Sequence, residues 1–171
     1  MRLTAILAIS QCGAIGQTTS PTGLPWPRLA RDLRRFRDAT MGRVCIVGRK
    51  TYETLPPLPG RRLAVLSRNR ERCDPQLGPK SAYAIGLPQQ KLLAALHGAG
   101  ESEVMVIGGA EVYRALLPRC DRLLLTVVHG TWPADTFVER PTEGFTRLSV
   151  ETHDPEPDSP ARVTFSEWVR P

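Results

Sequence analysis

The stretch EVMVIGGAEVYRALLP, residues 103–118, passes from a run of apolar β-formers through a glycine pair into an apolar stripe at helical spacing. A strand that feeds through Gly108 and Gly109 into a helix is half of a βα unit. The rest of the chain repeats the theme. LTAILAI (3–9), VCIVG (44–48), RLAVLS (62–67) and RLLLTVV (122–128) are short, nearly continuous apolar runs, as expected of strands covered on both faces. Helical patterns lie between them at 28–40, 49–55, 89–99 and 110–118. Alternation of this kind implies a mainly parallel sheet with right-handed crossovers. RVTFSEWV (162–169) instead alternates apolar and polar residues and suits an antiparallel edge or hairpin, with HDPEPDSPAR (153–162) before it as a turn or exposed loop. No internal repeat or linker interrupts the 171 residues, so one domain over 1–171 is expected.

Composition narrows the partners. A hydrophobic fraction of 41% and a charged fraction of 23% are ordinary for a globular chain. The net charge of +6 favours an anionic partner, either nucleic acid or a nucleotide-like polyanion. The basic residues are scattered, mostly arginine, and not interleaved with aromatics, which weakens the nucleic-acid alternative. Cys12, Cys45, Cys73 and Cys120 form no CxxC pair and no HExxH accompanies them, so no metal site is expected. Cys45, inside VCIVG, reads as a buried, reduced thiol. The N-terminal MRLTAILAIS reads as a first strand and not as a signal peptide. No apolar run approaches the roughly 20 residues of a membrane span, and a cytoplasmic location is expected.

Three strand ends carry groups suited to phosphate. VMVIGGAEVY leaves backbone N–H groups open at a helix start, IVGRKTYE adds Arg49, Lys50 and Thr51 after Gly48, and AVLSRN ends on Ser67 and Arg68. Ligands of α/β sheets bind beyond the carboxyl ends of the strands, so these three could serve one dinucleotide. GAIG (13–16) lacks the GxGxxG spacing and no acid follows to select an unphosphorylated ribose; basic residues in its stead point to NADPH. The stretch QCGAIGQTTSPTGLPWP (11–27) reads as a long irregular loop of the kind that forms lids, with Trp26, between two prolines, packed on something fixed.

In GLPWPRLARDLRRF (23–36) a helical wheel puts Leu29, Leu33 and Phe36 on one stripe, with Asp32 inside it or at its edge, while Arg28, Arg31, Arg34 and Arg35 project elsewhere. A carboxylate among apolar residues costs several kcal/mol, as a rough guide, unless a cation or strong hydrogen bond meets it. An edge residue leaning into solvent, or paired with Arg28 or Arg35, is the bland alternative.

Taken in order, AILAIS, GAIG, LPWP with its following acid, VGRKTYETL, PLPGR, VLSR, VMVIGGAEVY, LLLTVV and ADTF closely resemble dihydrofolate reductase, nearly end to end. The resemblance implies an α/β fold with a mostly parallel twisted sheet of about eight strands, a C-terminal antiparallel hairpin and about four flanking helices. It implies NADPH-dependent reduction of 7,8-dihydrofolate to 5,6,7,8-tetrahydrofolate by a monomer, and antifolate inhibitors such as trimethoprim or methotrexate as further ligands, the chain being their target or a resistance determinant. Asp32, six positions after Trp26, matches the acid that recognises the pterin, with Trp26 and Thr126 as partners of the carboxylate and an ordered water. Ile6, Leu7, Ala8, Leu24, Phe36, Thr54, Leu55, Leu58, Ile107 and Tyr113 would line the substrate pocket, and Arg61 would clamp the carboxylate of the glutamate tail. On the cofactor side stand Ala8, Ile15, Gly16, Gly48, Arg49, Lys50, Thr51, Leu66, Ser67, Arg68, Ile107, Gly108, Gly109, Ala110, Glu111, Val112 and Tyr113. Residues 13–24 would be the lid, here longer than in the compact bacterial form and carrying a proline. The acid at Glu111, beside a phosphate site, has no explanation in the sequence. A pyrimidine reductase of riboflavin synthesis is the nearest rival, opposed by LPW with its acid and by PLPGR.

Overall fold

The computed structural model describes residues 1–68, 82–85 and 88–171. Cys73 lies outside the described residues. The strands are β1 (Arg2–Ser10), β2 (Ala14–Gly16), β3 (Val44–Gly48), β4 (Arg62–Leu66), β5 (Ala82–Ile85), β6 (Glu103–Val106), β7 (Arg122–Val128), β8 (Thr136–Phe137), β9 (Thr146–His153) and β10 (Val163–Val169). The helices are α1 (Ala30–Thr40), α2 (Arg49–Thr54), α3 (Gln89–Gly98) and α4 (Ala110–Leu116), the last running into a 3-10 turn at Leu117–Arg119. The main sheet has the order β5-β4-β3-β6-β1-β7-β10-β9. Its first six strands are mutually parallel, and β10 and β9 close it as an antiparallel hairpin. The expected architecture is therefore the one found.

Two apolar layers cover the sheet. One, with Leu3, Leu7, Val44, Ile46, Val106, Tyr113, Leu116 and Leu123, packs against α3 and α4. The other, with Ile6, Cys45, Val47, Tyr52, Val65, Met105 and Ile107, takes in Phe36, Leu55 and Leu58. The alternation of neighbours such as Ile6 and Leu7 between layers is the period-2 rule of a strand buried on both faces. Burial pushes the Cys45 and Cys120 thiols up to about 12, which keeps them protonated and inert.

Helix α1 starts later than the sequence pattern suggests, at Ala30, and is held from outside. The Ala30 N–H donates to Asp158 O and the Arg31 N–H to Ser159 Oγ, both 2.9 Å, while Arg31 pairs with Glu156. The loop read only as exposed thus supplies the N-cap that Leu29 cannot. Trp26 is buried with Leu29, Val128, Ala161 and Val163, the fixed packing partner its proline flanks suggested. Leu33, expected on the buried stripe, is 40% exposed. The apolar stripe of α1 faces core only in part.

Residues 11–27 are less irregular than their composition implies. Ala14–Gly16 pairs antiparallel with Thr136–Phe137, and the Thr18 N–H donates to Asp135 Oδ2 at 2.7 Å. β9 has no counterpart in the sequence reading either: nearly all its residues are exposed, so no apolar periodicity marks it.

Candidate active site

The carboxyl ends of the parallel strands β1, β3, β6 and β7 lie along one edge of the sheet, and Phe36 and Ala39 of α1 pack on the layer that holds Ile6 and Ile107. Asp32 sits in the first turn of α1. The Thr126 hydroxyl of β7 and the positive charge of Arg35 both favour the anionic form of its carboxyl. Burial outweighs both and pushes the Asp32 carboxyl up from its ordinary value. Thr126 is itself buried. The hydroxyl of Tyr113, in the middle of α4, donates to Ile6 O at 2.7 Å, and its own titration is pushed up by burial and by the charge of Asp32.

Arg35 does not project away with the other arginines. It is three residues after Asp32, hence one turn along the same side of α1, and points back under it. Its Nη1 donates to Leu125 O (3.0 Å) and Thr126 Oγ1 (2.9 Å), its Nη2 to Ser166 O (3.1 Å), and the guanidinium lies 4.5 Å from the centroid of the Phe165 ring. A wheel that sorts residues by polarity places any arginine outside. The i to i+3 spacing from the acid was the available signal.

The apolar residues expected to line the substrate pocket divide between clusters. Ile6, Phe36, Leu55, Leu58 and Ile107 share one cluster, and Ala8 and Leu24 pack beside Trp26. Leu7 does not join them: its side chain is buried in the layer on the other face. Tyr113 and Val112 also belong mainly to that layer, although the Tyr113 hydroxyl reaches Ile6. Thr54 is exposed at the end of α2, with its hydroxyl on Thr51 O. Arg61 is buried, 8% exposed, and its Nε and Nη1 have no hydrogen-bond partner.

On the other flank, β3 and β6 end side by side, the Gly48 N–H donating to Gly108 O at 2.7 Å. The Gly108–Gly109 peptide is cis. A Cβ on Gly109 would lie 2.7 Å from Thr51 Oγ1, and one on Gly48 3.1 Å from Val112 Cγ2. The floor between the starts of α2 and α4 is thus bare backbone, suited to a pyrophosphate approaching closely. Lys50 is exposed at its rim. Arg49 is engaged with Glu53 at 2.6 Å, and Arg68 lies 3.3 Å from Glu111, which gives that acid a partner. Leu66 and Ser67 end β4 nearby, and Ala110 opens α4. Ile15 packs on the layer that holds Leu7, and Gly16 sits on β2, facing Thr136.

Gly108 combines φ of +101° with a Cβ position 2.7 Å from Tyr113 Cε2. Gly108→Ala is expected to destabilise the protein by about 2–4 kcal/mol, from left-handed strain plus overpacking. The check is a lowered Tm; an unchanged Tm would contradict the crowding.

The family profile for dihydrofolate reductase matches residues 2–170. Dihydrofolate reductase type 8 of Escherichia coli is 34% identical over 157 residues, 90% of this chain and 91% of that one. Dihydrofolate reductase type 3 of Salmonella typhimurium is 36% identical over 155 residues, 90% and 88% of the two chains. Among solved structures, the dihydrofolate reductase of Enterococcus faecalis complexed with NADP(H) and RAB-propyl superposes with a TM-score of 0.82 at 28% identity, covering 99% of this chain and 96% of that one.

Proposed function

This chain belongs to the dihydrofolate reductase family, and on that premise we propose that Asp32 recognises the pterin of dihydrofolate, supported by Thr126 and Trp26, while Arg61 takes the carboxylate of the substrate's tail. The reaction is the NADPH-dependent reduction of 7,8-dihydrofolate to 5,6,7,8-tetrahydrofolate, and antifolate inhibitors are small ligands of the same family. When bound, NADPH supplies the hydride that goes to pterin C6. Gly48, Gly108 and Gly109, with Lys50, Thr51, Ser67 and Arg68 around them, would hold its phosphates.

The observation that carries the proposal is a desolvated carboxylate in the first turn of α1, held toward its anionic form by Thr126 and Arg35, on the helix that also sets Phe36 into the layer of Ile6 and Ile107. Such an anion pairs with a donor pair on a flat heterocycle, an amino group beside a protonated ring nitrogen, through charge-assisted hydrogen bonds. Ile6, Phe36, Leu55 and Ile107 then sandwich the ring and exclude water, which strengthens that pairing. Asp32 does not reach pterin N5 in this reading. It favours the protonated, reactive form of the ring, and the proton arrives at N5 through water.

Action as a monomer is part of the proposal. No helix among the described residues is long and apolar enough to cross a membrane, and a cytoplasmic site of action accords with that. The test is loss of NADPH absorbance on adding dihydrofolate to the purified protein. Turnover supports the proposal; NADPH oxidation only with the pyrimidine of riboflavin synthesis would remove it.

A further inference from the structure

We propose that Arg35 is a positioning residue for this reaction: forked onto Thr126 Oγ1 and Leu125 O, its guanidinium turns the Thr126 hydroxyl proton toward Asp32 and keeps the Asp32 carboxylate in the anionic form that binds substrate. The inference rests on the pterin-binding role of Asp32 given above and adds a residue to it.

The geometry decides the direction of the hydrogen bonds. A threonine hydroxyl has one proton to give and lone pairs to receive with. Arg35 Nη1 can only donate, so at 2.9 Å it occupies a lone pair of Thr126 Oγ1 and leaves the hydroxyl proton free. The acceptor at hand for that proton is Asp32. A cation at the far end of the chain polarises each link toward the carboxylate, as hydrogen-bonded chains do in a poorly solvated site. The same guanidinium attracts Asp32 directly through space. Without these two influences, burial alone would act on the acid.

Arg35 is in turn held by its surroundings. Nη2 donates to Ser166 O on β10, and the plane stacks on Phe165. Glu167 of β10 and Glu151 of β9 attract it, and Arg122 at the start of β7 repels it. The His153 ring of β9 packs tilted against Phe165 and lies 3.3 Å from Glu151. Tyr113 of α4 is the remaining titratable group on the Asp32 side. A groove lined by Arg35 together with Glu151, Phe165 and Glu167 opens between α1 and the β9–β10 hairpin.

The measurement is the pH profile of kcat/KM for dihydrofolate in the parent, Arg35→Met, Arg35→Lys and Asp32→Asn. In the parent the acid limb reports Asp32 in the free enzyme. Arg35→Met is expected to move that limb to higher pH, lowering kcat/KM at its foot by roughly tenfold against the parent, with little change on the plateau. Arg35→Lys, which keeps the charge but not the fork, moves it part of the way. If Arg35→Met does not fold, the lysine variant carries the test. An acid limb that stays in place in the folded variants, with only Tm lowered, overturns the proposal and leaves Arg35 as a tie between α1 and the sheet. Parent and Asp32→Asn profiles of the same shape would overturn the Asp32 reading itself.

Discussion

Asp32→Asn is expected to lower kcat/KM for dihydrofolate by roughly 10²–10⁴-fold near neutral pH, the range of a lost acid–base or charge-assisted group, and at the same time to raise Tm. The activity loss follows because the amide keeps the shape but neither carries the anion nor attracts a protonated ring nitrogen. The deficit shrinks as pH falls, since a ring protonated from solution no longer needs the carboxylate to favour that form. The stability gain has its own sign. Burial holds the folded carboxyl above its unfolded value, so the folded chain binds more protons than the unfolded chain between those two values, and stability declines as pH rises through that window. Above it the whole cost is present, and the asparagine does not incur it. A gain on the order of 1 kcal/mol is about 2–4 °C in a chain of this length. Thermal melts at neutral pH and at pH 4 separate the effects: the variant's advantage is largest at neutrality and fades in acid. A variant that melts below the parent at neutral pH would mean that Thr126 and Arg35 more than offset the burial of the charge.

The parts of this protein that its sequence made legible are those decided by short-range pattern. VCIVG, RLAVL and RLLLTVV had to be covered strands because both faces of each are apolar, and the glycine pair at 108–109 had to be a junction where a chain or ligand comes close. The hairpin strand Val163–Val169 declared itself by alternation; its partner Thr146–His153 did not, because an edge strand with nearly every residue exposed has no pattern to display. The helical wheel found Asp32 but misjudged two neighbours. Leu33 lies on the apolar stripe yet is 40% exposed, because that part of the stripe does not reach the core. Arg35 was counted as outward-facing, whereas its acceptors come from strands 90 to 131 positions further along the chain. No local pattern encodes such a meeting. The cap of α1 by Ser159, 128 residues from Arg31, was hidden for the same reason.

Arg61→Met is expected to raise KM for dihydrofolate by roughly 30- to 150-fold with kcat little changed, the effect of losing about 2–3 kcal/mol of charge-assisted hydrogen bonding remote from the reacting atoms. The guanidinium is 8% exposed, and Nε and Nη1 have no partner. Buried donors are nearly always satisfied, so two on one cation mark a place prepared for an acceptor that the protein does not itself supply. The fork suits a carboxylate, and methionine keeps much of the stem's volume while removing the charge. Two controls locate the effect. A dihydropterin without the glutamate tail should be reduced equally well by parent and variant, because it never used Arg61. Tm of the variant should rise, since a buried guanidinium with two unmet donors is replaced by an apolar chain. An unmoved KM with full-length substrate would remove Arg61 from the site. A raised KM joined to a raised Tm would place Arg61 beside Asp32, as a second group whose burial destabilises the free enzyme and whose missing partner is the substrate.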